Sequence, residues 1–212
     1  MKFSIEQFNG FTDPLEGSVS WMYLDRIGKV TTARGYLIDS IQDACACPWV
    51  GDPHPDVVAA EWARVKNSGM AGEGGGNQRA GKTLFLSPEG VDALTLQRLW
   101  GNETRLATLF SNWAQLPLSA QLAIHSMCWA EGESELEHDW PKFVTAVSAG
   151  DFETAATQSQ MRNPANDASL SRRNKANASL LRVSGHDDWP DGCFTPAFLQ
   201  HLATNGLAIY PS

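Results

Sequence analysis

Glu16, Asp25 and Thr31 carry the chemistry this sequence suggests. Glu16 stands just before a short apolar and aromatic run, Val19-Ser20-Trp21-Met22-Tyr23-Leu24. Asp25 closes that run ahead of a turn, and Thr31 lies beyond the turn. Two carboxyls flanking a cleft are what glycoside hydrolysis needs. One must be protonated to donate to the leaving oxygen, and the other ionised to attack carbon or to activate water. The separation of the two carboxyls decides between nucleophile and base, and spacing along a chain does not fix it.

The elements that would position these groups are short. Trp21 to Leu24 and Val30 to Thr32 are rich in β-formers, and the intervening Arg26-Ile27-Gly28-Lys29 contains a glycine. This predicts a β-hairpin that brings Asp25 and Thr31 together on its two arms. Phe3, Ile5, Phe8 and Phe11 form a rough helical stripe that Gly10 and Pro14 are expected to limit. Thr12 or Asp13 would then cap a last turn that starts at Pro14 and carries Glu16. A carboxyl beside Leu15, Val19 and Trp21 would be partly desolvated, which suits a proton donor.

The spacing Glu16-x8-Asp25-x5-Thr31, with Glu16-Gly17 and Tyr23-x-Asp25-x-x-Gly28 around it, resembles the phage-type lysozyme (muramidase) family. The resemblance implies that Glu16 is the general acid and that Asp25 and Thr31 position the attacking water. It extends substrate contact to Tyr23, Gly35 and Arg172. The family usually continues Thr-x-Gly-x-Gly-His, where this chain has Thr31-Thr32-Ala33-Arg34-Gly35-Tyr36 and keeps only the second glycine. The run Leu116 to Gly132 resembles the family's central helix and following loop, with Ala130 in place of an asparagine. Arg172-Arg173, followed by Ala176, Leu180 and Leu181, resembles its C-terminal Arg-Arg helix.

Composition sets the wider bounds. With 212 residues, 42% hydrophobic content and eight tryptophans, the chain is long and apolar enough for a sizeable core. A net charge of −8 makes general nucleic-acid binding a poor expectation. Met1 to Gln7 contains no apolar leader segment, and no run is long enough to span a membrane. The expectation is therefore synthesis in the cytoplasm, with action in the periplasm or on the cell wall after delivery by a holin or a secretion system. Cys45 and Cys47 are too close to pair comfortably, so the four cysteines read as free buried thiols rather than a disulfide framework.

The remainder is read in chain order. Leu37 to Val50 is a third strand or a short helix. Asp56 is expected to cap the helix that follows. Ser68 to Thr83 is glycine-rich and reads as a flexible loop at the cleft mouth. Within it, Gly76 to Thr83 formally matches a phosphate-binding loop, but neither an apolar strand before it nor a helix after it is evident. Ser87-Pro88-Glu89 starts a helix carrying Val91 to Leu99, with another run near Arg105 to Leu116. His125 reads as a core or boundary histidine. Glu131 to Asp139 reads as an acidic loop, and Trp140 to Ala156 as helix, glycine stop, Asp cap, helix.

Together these readings predict an α+β, lysozyme-like single domain over residues 1–212. A small hairpin lobe would span about 12–65, the loop 68–83, and a larger helical lobe about 88–212, with a cleft between the lobes. The predicted activity is a peptidoglycan-cleaving muramidase, in a phage endolysin or a secreted antibacterial effector. It would need no cofactor or metal and would act as a monomer. An immunity protein or delivery machinery are the expected protein partners. A non-catalytic glycan-binding or structural relative is the alternative, favoured by the altered glycine segment and the acidic charge.

Overall fold

The computed structural model describes residues 1–162, 168–186 and 189–205, with only the backbone of 133–135 and 169. The expected helical lobe reaches residue 212, so its last stretch, 206–212, lies outside the described residues. Most of the described residues are helical, with one three-stranded antiparallel sheet among them. It divides into two compact units, Met1–Glu16 with Leu99–Ser212, and Gly17–Arg98.

Helix α1 spans Ile5–Glu16 and passes through both residues expected to limit it. Pro14 lies in its last turn. Gly10 has a packing reason: a Cβ there would come within 2.5 Å of the Pro196 carbonyl oxygen on α10, Pro196–Asn205. Only a glycine lets the two helices approach so closely. Thr12 is not a cap but is buried, donating its hydroxyl to the Phe8 carbonyl at 2.8 Å. Gly17, with φ +69°, ends α1 in the left-handed region.

The sheet runs β1 (Val19–Leu24), β2 (Val30–Ala33), β3 (Tyr36–Leu37), in that spatial order. The expected hairpin is present, with Tyr23 opposite Thr31 and Leu24 opposite Val30. Of the two alternatives expected for Leu37 to Val50, a short helix, α2 (Ile41–Ala46), forms, and Ser40 and Asp43 close a reciprocal capping box at its start. Helix α3 (Pro55–Lys66) is capped by His54 rather than Asp56, which sits in the first turn. Met22, Leu24, Val30, Ile38, Val58, Val65, Leu84 and Leu86 form the core of this unit.

The glycine-rich stretch is anchored rather than loose. Gln78, 1% exposed, accepts from the Leu24 N–H at 2.8 Å and donates to the carbonyls of Leu24 at 2.7 Å and Met70 at 3.1 Å. One carboxamide thus extends the β1 edge with strand-like bonds. The chain before Gly75 is turn and bend, Gly75–Gln78 is a single 3-10 turn, and Leu84 and Phe85 after Thr83 are not helical, so the phosphate-loop match lacks its strand and its helix.

Helix α4 (Pro88–Leu109) covers the first expected run and continues into the second, whose end is a separate 3-10 turn at Trp113–Gln115. In the helical unit, α5 (Leu118–Glu131) is buried at every position from Leu118 to Trp129. Glu133–Asp139 forms a short helix, α6, where a loop was expected. Helices α7 (Pro141–Ala149) and α8 (Phe152–Gln158) are separated by Gly150 in the left-handed region and by Asp151, which caps Thr154. Helix α9 (Ala168–Val183) packs on α5, with the Ser119 and Ser184 hydroxyls 2.6 Å apart across them. All four cysteines are free. Cys47 and Cys128 are buried as expected, whereas Cys45 and Cys193 are exposed.

Candidate functional site

Glu16 ends α1 with its side chain 27% exposed, and its Oε1 accepts from Nη2 of Arg173. Arg173 is itself buried and donates Nη1 to the Ser126 carbonyl at 3.0 Å. Three helices therefore meet at this carboxyl: α1 carries it, α9 supplies the guanidinium, and α5 fixes the guanidinium from behind. A carboxyl held through one oxygen in this way can present the other in a defined direction.

Arg172, the arginine singled out from sequence, is exposed. Its neighbour Arg173 faces the core because it shares a stripe with Ala176, Asn177, Leu180 and Leu181, all buried. That i, i+3, i+4, i+7, i+8 pattern is legible in the sequence and separates the two arginines.

Asp25 follows β1 directly. Its Oδ1 accepts from the backbone N–H groups of Ile27 at 2.9 Å and Lys29 at 2.8 Å. The backbone closes the same turn, Asp25 N–H to Lys29 carbonyl at 2.9 Å. An aspartate whose carboxylate binds N–H groups two and four residues on holds the turn by its own side chain. An ionised carboxylate has about four lone-pair positions, so Oδ2 is the oxygen that suits contact with a water.

Thr31 is 4% exposed, and its hydroxyl donates to the Lys29 carbonyl at a long 3.3 Å. Tyr23 stands opposite it in the register. The Tyr23 ring packs under the glycine stretch, where a Cβ on Gly75 would meet it at 3.2 Å. Gly35 turns the chain between β2 and β3 at φ +80°, and its carbonyl accepts from Arg98 at 3.0 Å. Tyr23, Asp25, Thr31 and Gly35 thus gather on one small sheet, while Glu16 and Arg172 belong to the helical unit.

A second charged centre lies inside the helical unit. Glu103 accepts from Trp113 Nε1 at 2.9 Å, pairs with the Met1 ammonium, and sits 2.9 Å from His125 Nε2. Burial pushes the Glu103 carboxyl up, but hydrogen bonds from His125, the ammonium and Trp113 outweigh it and hold the group at about 2. His125 is fully buried, which pushes its imidazole down against the pull of Glu103. It touches Phe3 and Trp113 edge-on and serves the core.

No protein-family description, curated protein or solved structure matches this chain.

Proposed function

We propose that the chain is a muramidase of the lysozyme-like kind, cleaving the glycan strand of peptidoglycan. Glu16 acts as general acid, giving its proton to the glycosidic oxygen as the bond to the anomeric carbon breaks. Asp25 takes a proton from a water that Thr31 Oγ1 helps to orient, and that water attacks the anomeric carbon. Such a displacement inverts configuration, and it requires the two carboxyls to stand about 6.5–9.5 Å apart across the sugar. The Glu16–Arg173 pair carries this reading. Arg173, buried and braced on the Ser126 carbonyl, orients the Glu16 carboxyl through Oε1 and leaves Oε2 as the oxygen that can carry the transferable proton.

A second reading has its own support. Asp25 holds its turn through Oδ1, and the Thr31 hydroxyl is bonded to the Lys29 carbonyl. Both residues therefore have structural work to do, as they would in a glycan-binding relative without catalysis. The deciding experiment is a zymogram on purified peptidoglycan with Glu16→Gln. The carboxamide of that variant still accepts from Arg173 but has no proton to give, so lysis is expected to fall by roughly 10²–10⁴-fold in a folded protein. Undiminished lysis by folded Glu16→Gln removes Glu16 as the acid.

A further inference from the structure

Lys82, near the end of the glycine-rich stretch, is 9% exposed. Among the described residues its ammonium has neither a hydrogen bond nor an ion pair. Lysines this deep are almost always paired. We propose that Lys82, Arg64 and the Gly81 turn between them form a binding site for a small oxyanion such as inorganic phosphate.

Both chain neighbours of Lys82 touch one charged pair on α3. Thr83 brings its N–H to 3.4 Å from Glu61 Oε1 and its hydroxyl to 3.3 Å from Oε2. On the other side, a Cβ on Gly81 would stand 3.8 Å from Arg64 Nη1. Glu61 is 5% exposed and accepts from Arg64 through both oxygens, from Nη2 at 2.7 Å and from Nε at 3.2 Å. The cluster therefore holds two cations and one carboxylate, and that carboxylate is taken up by Arg64 and Thr83. Burial pushes the Lys82 ammonium below its ordinary value and the Arg64 charge adds to this, with Glu61 pulling the other way. An anion supplies the compensation that Glu61 leaves incomplete.

The donors left over suit such a ligand. Arg64 spends Nε and Nη2 on Glu61, whereas Nη1, the nitrogen nearest Gly81, has no acceptor among the described residues. Gly81 stands at φ +69° in a turn that the Lys82 N–H closes on the Arg79 carbonyl at 3.2 Å. A glycine there leaves the space in front of the guanidinium open. Gly81 and Thr83 are exposed and Arg64 is half-exposed, so an ion reaches the cluster from solvent. A compact ammonium beside a planar guanidinium matches the several acceptor oxygens of one oxyanion. With no strand before the stretch and no helix after it, the rest of a nucleotide finds no support. The site lies apart from Asp25 and Thr31 and does not rest on the proposed cleavage.

The test is NMR titration of the full chain with inorganic phosphate, exchanged for chloride at constant ionic strength. The backbone N–H signals of Gly81, Lys82 and Thr83 are expected to shift saturably. Lys82→Met keeps the buried stem without the ammonium and should weaken binding at least about tenfold. Arg64→Lys keeps a cation for Glu61 but removes the planar donors, and should weaken it severalfold, which keeps the test open if Lys82→Met does not fold. ADP is expected to bind no tighter than phosphate. A shift that does not saturate, or an affinity unchanged in either folded variant, overturns the site. ADP binding tenfold tighter than phosphate overturns the choice of ligand, because the nucleotide is then what the stretch recognises.

Discussion

The helical unit and the sheet unit hold their candidate carboxylates in opposite ways. Glu16 is oriented by a charge brought from far along the chain, through three packed helices. Asp25 is oriented by backbone N–H groups two and four residues away, within a single turn. The first arrangement exists only once the helical core has assembled. The second can form as soon as the hairpin closes. Two residues of similar chemistry are therefore tied to stability differently, and substitutions at each separate the two kinds of support.

The largest effect is expected at Glu16. Glu16→Ala leaves the Arg173 guanidinium buried without its counter-charge, and an uncompensated buried charge is expensive. Because Glu16 is 27% exposed, water reaches part of the gap, and the expected loss is about 2–3 kcal/mol in urea denaturation. Glu16→Gln, which keeps an acceptor, should lose less than half as much. Equal losses for the two variants mean that the charge on Glu16 does not matter to the core.

That contrast also explains what the sequence disclosed. The hairpin, the core helix from Leu118 and the Gly150-Asp151 break depend on local residue types and were legible. The course of α1 through Gly10 and Pro14 was not, because the approach of α10 decides it. The Gln78 anchor was hidden for the same reason: a glutamine in a glycine-rich stretch gives no local sign that it pairs with a strand edge 54 residues away. Among the candidate site residues, Glu16, Asp25 and Thr31 are proposals from their types, their spacing and the resemblance that spacing carries. Arg173 required the stripe Ala176, Asn177, Leu180 and Leu181 to distinguish it from Arg172.

The next effect is one of pH, and it belongs to the helical unit. The folded Glu103 carboxyl lies at about 2, below its usual 4.5. A depressed carboxyl contributes stability that is complete above about pH 4.5 and is lost as pH falls toward 2. Allowing for its partial exposure, the loss is about 1–2 kcal/mol. His125 acts in the same sense, since a buried imidazole held neutral loses ground as the unfolded chain protonates below its ordinary value. Urea midpoints measured from pH 6 to pH 3 should fall in the wild type and less steeply in Glu103→Gln. Parallel curves mean that Glu103 is not the group responsible.

The smallest effect is expected at Asp25, where it separates two roles. The bonds to Ile27 and Lys29 resemble a helix cap: an exposed side-chain oxygen satisfying nearby N–H groups that water can otherwise reach. Losing such an acceptor costs about 1 kcal/mol, so Asp25→Ala should destabilise by about that amount. Asp25→Asn keeps an oxygen in the Oδ1 position and should stay within about 0.5 kcal/mol of wild type. Activity then discriminates where stability does not. If Asp25 activates water, asparagine is as inactive as alanine, because the carboxamide cannot take a proton. If Asp25 only shapes the turn, Asp25→Asn lyses cell walls like wild type and Asp25→Ala is merely weakened. Lysis measured on both proteins, at a temperature where each is folded, decides whether this local carboxylate is an instrument of the reaction or a fastening of the hairpin.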